Sequence, residues 1–174
     1  YGTNHKMISI IIPTFNNFDY LKLCIKSLNK NSRHKHEIIF HINDGSDGTT
    51  EFIKNNGYKF THSESNIGLC SSINKAVKLA SFDYILYSHD DMYFCPDWDE
   101  VLINEIKKIK HENFYLSGTM IEPNSGHIVY NFGDTINNFK EDELLSKYKN
   151  INFYDHQGTH FAPHLVSKKI WDKV

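Results

Sequence analysis

The sequence predicts an α/β domain: a Rossmann-like, doubly wound and mostly parallel sheet, with a more irregular lobe appended to it. Three observations lead there. Apolar runs of strand length alternate four times with stretches of helical spacing. The first of those runs, Ile8-Ser-Ile-Ile-Ile12, is almost wholly β-branched, as a parallel strand buried on both faces requires. The connections are long enough to hold crossover helices, and 174 residues with 40% hydrophobic content can bury one sizeable core.

Taken in order, the first strand is stopped by Pro13, which cannot donate to a ladder. After Asn17, read as an N-cap, Phe18, Leu21, Ile25 and Leu28 recur at helical spacing. A second strand over residues 38–42 runs into Asn43-Asp44-Gly45-Ser46-Asp47-Gly48, a turn-rich cluster, and then a short amphipathic segment over 49–55. Residues 58–62 form a weaker third strand. Asn66-Ile67-Gly68 leads into Leu69, Ile73, Val77 and Ala80, the apolar stripe of another helix. The fourth strand, Tyr84-Ile-Leu-Tyr87, ends in the acidic pair Asp90-Asp91, and behind it Asp97 and Glu100 have the spacing of a capping box ahead of Trp98, Leu102, Ile106 and Ile109. Beyond 114–117 the pattern changes. Residues 126–132 alternate like an edge or hairpin strand, and 134–152 are polar with one short helix over 141–148.

Composition excludes several classes of function. Lys+Arg of 19 against Asp+Glu of 21 gives a net charge of −2, with no basic surplus to attract nucleic acid. Cys24, Cys70 and Cys95 are odd in number and widely spaced beside apolar residues, so they read as buried free thiols of a reducing compartment. No apolar run approaches the about 20 residues that span a bilayer, and residues 1–6 do not resemble a signal peptide. A cytoplasmic location is expected, with peripheral membrane association left open. The histidines number 11, and His156, His160 and His164 are spaced by four, but Gly158 and Pro163 break the helix that would align them on zinc.

The chemistry concentrates at the acidic pair. In an open α/β sheet ligands bind beyond the carboxyl ends of the strands. Two adjacent carboxylates there repel unless positive charge shares the site, and a hard divalent cation carrying phosphate oxygens supplies it. The alternative for Asp90 and Asp91 is a solvated turn.

Ile8–Phe15 (ISIIIPTF), residues 42–48 (INDGSDG), Asn66-Ile67-Gly68 with Asn74 downstream, and residues 84–93 with their acidic pair together resemble the nucleotide-binding half of a family 2 glycosyltransferase of the GT-A fold. Residues 162–174 resemble the later segment of that family, where the chain returns under the acceptor site. The resemblance implies a nucleotide-sugar-binding half over 7–118 and an acceptor-side portion over 119–174. It implies that Pro13, Thr14, Phe15, Asp44, Asn66, Gly68, Asn74 and Asp90 bind the nucleotide, UDP favoured, and that Asp91 reaches Mn²⁺ or Mg²⁺, with His164 a further candidate ligand. Phe15 would stack on the base, its alternative being a core phenylalanine; Asp44 would accept the uracil imino N–H, its alternative being an Asx turn. Two departures from the family pattern stand out: Asn43 where many relatives carry Asp, and Met92 at what is often a third acidic position.

The implied reaction is metal-dependent, inverting transfer of a sugar from a nucleotide diphosphate to the hydroxyl of a carbohydrate or lipid-linked acceptor. Asp134 and Asp155 are candidate bases. The family's usual base motif follows a segment like the one that closes this sequence, so a fragment or an unconventional base is expected. A non-catalytic nucleotide-sugar or carbohydrate binding domain is the alternative. A nucleotide-sugar pyrophosphorylase would show a Gly-rich basic loop where Pro13-Thr-Phe-Asn-Asn17 stands.

Overall fold

A computed structural model describes residues 7–151 and 162–173. The chain runs β1 (Ile8–Phe15), α1 (Phe18–Asn31), β2 (Glu37–Asn43), α2 (Thr49–Asn55), β3 (Lys59–Ser63), α3 (Leu69–Val77), β4 (Tyr84–Tyr87) and α4 (Trp98–Lys108). There follow β5 (Tyr115–Ser117), the two-residue strands β6 (Ile121–Glu122) and β7 (Ile128–Val129), α5 (Glu141–Lys147), β8 (His164–Ser167) and α6 (Lys168–Trp171). The main sheet has the order β3-β2-β1-β4-β8-β5. Its first four strands are parallel, and β8 lies antiparallel to both neighbours.

Alternation along β1 explains why the sheet must be covered twice. Ile8, Ile10 and Ile12 face a large core with Leu21, Cys24 and Leu28 of α1, Ile53 of α2, and Leu102, Ile103 and Ile106 of α4. Ile11 faces the other way, onto Ile39, Ile85 and Val166 of the sheet and Ile73, Ala76 and Val77 of α3. Each fully buried isoleucine contributes about 1.5–3 kcal/mol relative to exposure, so neither face could be left in water.

The predicted strands and helices form, with local differences. The third strand sits one residue later than expected, and the helix expected to reach Ala80 ends at Val77. The alternating stretch 126–132 keeps only β7, paired with β6 beside the main sheet. Asp97 is not a capping residue: its φ of 67° is left-handed and its side chain makes no cap bond, because it is engaged by Arg33 and Lys149. Asp99, fully buried, does the anchoring instead. It accepts the backbone N–H groups of Arg33 (2.8 Å) and His34 (2.9 Å) and faces Nε2 of His36 at 2.9 Å, tying α4 to the loop before β2. Burial alone would raise its pKa, but these hydrogen bonds hold it down at about 2. Cys24 is buried as expected, whereas Cys70 is exposed and Cys95 only partly covered. No helix among the described residues is long and apolar enough to cross a membrane.

Candidate active site

Parallel strands ending together leave a hollow beyond their carboxyl ends. It is a cavity of about 360 Å³ that the tail of β1, the turn 66–68, the start of α3 and the acidic pair enclose. Pro13, Thr14, Phe15, Asn66, Gly68 and Asp90 all line it, and so does Asp91. Seven sequence-predicted residues thus meet in one place. Phe15 is not a core residue: 50% of its surface is exposed, as is that of Leu69, which lines the same hollow.

Several supports were not legible as such. Asn17 makes no cap bond to its own helix; its amide Nδ2 donates to Asp90 Oδ1 at 3.0 Å. Capping of α1 comes from the second motif, where Asp47 Oδ2 accepts the Phe18 N–H at 2.9 Å. Asp90 is half-buried. Burial raises its pKa, against hydrogen bonding by Thr14 and Asn17, and the neighbouring Asp91 charge raises it further, so negative charge on Asp90 comes at a cost that a bound cation would relieve. Asp91 is exposed.

Asp44 lies just past β2 with a left-handed φ of 61° and is not in the hollow's wall. Its Oδ2 accepts from Nδ2 of the lining residue Asn16 at 2.9 Å, a bond that lowers its pKa, and its Oδ1 accepts the Ser46 N–H at 3.2 Å, which is the Asx turn expected as the alternative for this residue. Gly45, φ +80°, follows immediately: a Cβ there would stand 2.2 Å from Thr50 Oγ1 and 2.6 Å from Ile42 Cγ2, which is why only glycine makes this turn. Asn43 is 4% exposed and lies in the hollow's wall. Its Nδ2 donates to the Thr14 carbonyl (3.3 Å) and to Ser72 Oγ (3.1 Å), while its Oδ1 accepts the Ile67 N–H at 3.0 Å.

Other predicted residues fall elsewhere. Asn74 is exposed on α3 and does not line the hollow. His164 is buried at the start of β8 opposite Tyr87, with Tyr115 packed on its ring at 4.7 Å, and burial pushes its pKa down to about 4, helped by His89 and His127. A neutral imidazole results, but His164 is absent from the hollow's wall. Asp134 is exposed in the lobe, where Asn138 binds its carboxylate. Asp155, His156 and His160 lie outside the described residues. Among the described residues no group of three His, Cys, Asp or Glu side chains is arranged to hold a metal ion. A cation at this edge would therefore rest on Asp91 and on oxygens that a ligand brings.

The sequence model described as Glycosyl transferase family 2 matches residues 9–166, which takes in every wall of the hollow. The chain belongs to glycosyltransferase family 2. An uncharacterised glycosyltransferase of Rickettsia typhi is 30% identical to it over 174 residues, 97% of this chain and 54% of the relative. Poly-beta-1,6-N-acetyl-D-glucosamine synthase of Staphylococcus epidermidis is 30% identical over 106 residues, covering 58% of this chain and 26% of the synthase. The family 2 chain thus spans about half or less of the length of these relatives. Among solved structures, S. aureus TarS 1–349 in complex with UDP-GlcNAc superposes with a TM-score of 0.60 at 20% identity, over 69% of this chain and 36% of TarS. The mannosyltransferase PcManGT of Pyrobaculum calidifontis, in complex with GDP-Man and Mn²⁺, gives 0.53 at 15% identity over 67% and 36%. Both likenesses establish the GT-A fold: mixed α/β around a mostly parallel sheet.

Proposed function

We propose that this chain is the donor-binding part of a glycosyltransferase that moves a sugar from a UDP-sugar to an acceptor hydroxyl. The observation that carries the reading is the convergence, in one hollow, of a half-exposed aromatic and an acidic pair from different strands of a family 2 chain. Phe15 offers its ring to the base. Asp44, kept ionised by Asn16, is an acceptor for an imino N–H at the neighbouring turn. Gly68 lets backbone pass close to the nucleotide. Asp90, held by Asn17, faces ribose or sugar, and Asp91 would hold a divalent cation together with the diphosphate oxygens.

When bound, such a cation offsets the charge that develops on the leaving diphosphate. The protein's own part is to position the donor so that the acceptor oxygen attacks from the face opposite the leaving group, inverting the anomeric carbon. A carboxylate base takes the acceptor proton, with Asp134 and Asp155 the in-chain candidates. TarS, which shares the fold, is known in complex with UDP-GlcNAc, and PcManGT with GDP-Man, so UDP and GDP are the nucleotides to compare first. Calorimetry of the purified protein against UDP, GDP and CDP, with and without Mn²⁺, tests the reading. UDP should bind tightest and the ion should strengthen it; equal affinities for the three nucleotides, or no effect of the ion, would overturn it.

A further inference from the structure

Asn43 occupies a position with a chemical demand that few side chains meet. On one side stands the carbonyl of Thr14, which can only accept; on another stands the N–H of Ile67, which can only donate. The amide answers both, and its orientation follows, since turning it over would set oxygen against oxygen and N–H against N–H. Its second N–H goes to Ser72 Oγ, whose own hydrogen is directed at the Gly68 carbonyl at 2.7 Å. Thr14 precedes Phe15, Ile67 and Gly68 form the turn, and Ser72 lies in the first turns of α3 beside Leu69. One buried side chain therefore joins three separate wall segments of the hollow.

We propose that Asn43 is a positioning residue for the donor nucleotide, fixing the tail of β1 against the 66–68 turn and the start of α3, so that Phe15 and Leu69 keep their spacing. Asn43 itself borders the hollow, but its amide is spent on protein partners and only 4% of its surface is exposed, so it acts through those segments. The inference rests on the reading of the hollow as the nucleotide site. It also accounts for the Asn-for-Asp departure in the second motif: an ionised aspartate could still accept from Ile67 but would present an anion to the Thr14 carbonyl. A protonated aspartate would restore the donor.

That difference supplies the test, with Asn43→Asp read at two pH values against the wild-type chain. His41 on β2 hydrogen-bonds the Asn43 side chain and feels Lys75 of α3 and His62 of β3, and Asp44 follows Asn43 in the chain; all four are present in both proteins. Burial raises the pKa of a carboxyl placed there, so near pH 8 the variant should bind UDP about tenfold more weakly than wild type, and near pH 5 within about threefold. Hydrogen exchange, which needs no nucleotide, is the second readout. At the higher pH the Ile67 and Gly68 amides should exchange faster than in wild type while β1 to β3 stay protected.

A variant matching wild type in both readouts at both pH values overturns the inference. So does one that loses strand protection everywhere, since Asn43 would then support the whole fold and not the site. Failure of the wild-type protein itself to bind UDP overturns the donor reading alone, and the exchange comparison at 66–72 then decides the role of Asn43 separately.

Discussion

Replacing Phe15 with alanine separates the work of the hollow from the work of the core. A phenylalanine side chain offers about 200 Å² of surface, and half of it is free in this structure, so a ligand can cover about 100 Å². At about 25 cal/mol per Å² that is at most about 2.5 kcal/mol, and base–aromatic stacking measured by truncation falls at about 1–3 kcal/mol. Because a base covers only one face of the ring, the loss should be about 1–2 kcal/mol, or about five- to thirtyfold in Kd for UDP. Melting should barely change, since Phe15 is absent from both buried clusters. Titration calorimetry gives the affinity and far-UV dichroism the melting curve; Phe15→Tyr, which keeps the ring, should bind like wild type. If Phe15→Ala binds UDP within twofold of wild type and melts several degrees lower, the ring is structural and the stacking argument is refuted.

Three further outcomes are expected. Asp91→Asn should abolish most of the ion-dependent gain in UDP affinity with no change in melting temperature, because an exposed strand-end carboxylate contributes little to the core; an unchanged ion response in a destabilised variant would show the opposite. Asp99 has a folded pKa of about 2 against about 3.9 unfolded, so its contribution is complete above about pH 4 and is lost as pH falls towards 2. Thermal melts should therefore show Asp99→Asn clearly below wild type at pH 7 and the gap closing in acid; a gap independent of pH would contradict the assignment. Gly45→Ala should cost about 2–4 kcal/mol in denaturant unfolding, from positive φ together with the collision at Thr50 and Ile42, and a loss below about 0.5 kcal/mol would mean the turn relaxes freely.

Much of this was legible because the sheet is parallel and doubly covered, which forces continuous β-branched runs and leaves clean strand ends. Tyr84–Tyr87 and Thr49–Asn55 were readable to the residue, and so was the gathering of Phe15, Gly68, Asp90 and Asp91 at one edge. What could not be read depended on partners distant in sequence. Asp97 and Glu100 satisfy a local capping pattern, yet Arg33, 64 residues away, claims the Asp97 carboxylate, and the cap is never made. Asn17 looked like a cap for the same local reason and serves Asp90 instead, 73 residues on. Cys70 could not be placed from spacing: it stands three and seven residues ahead of Ile73 and Val77, on their face of α3, yet the first turn of that helix, where Leu69 borders the hollow, leaves it exposed.

The insertion of β8 between β4 and β5 has a consequence for how the molecule is made. The parallel strands β1 to β4 can pair as soon as residue 87 is available, but the free edge of β4 then waits for His164–Ser167, and β5 has no place in the sheet until that strand arrives. The sheet is closed from its middle outward, with a loop of about 75 residues to be drawn in, at an entropic cost that grows only slowly with its length. During that interval β4 offers unpaired backbone to any neighbouring chain. The acidic pair lies at the end of the same strand, so the last pairing step of the sheet flanks the strand that carries it, and folding there should be slow and prone to association at high concentration.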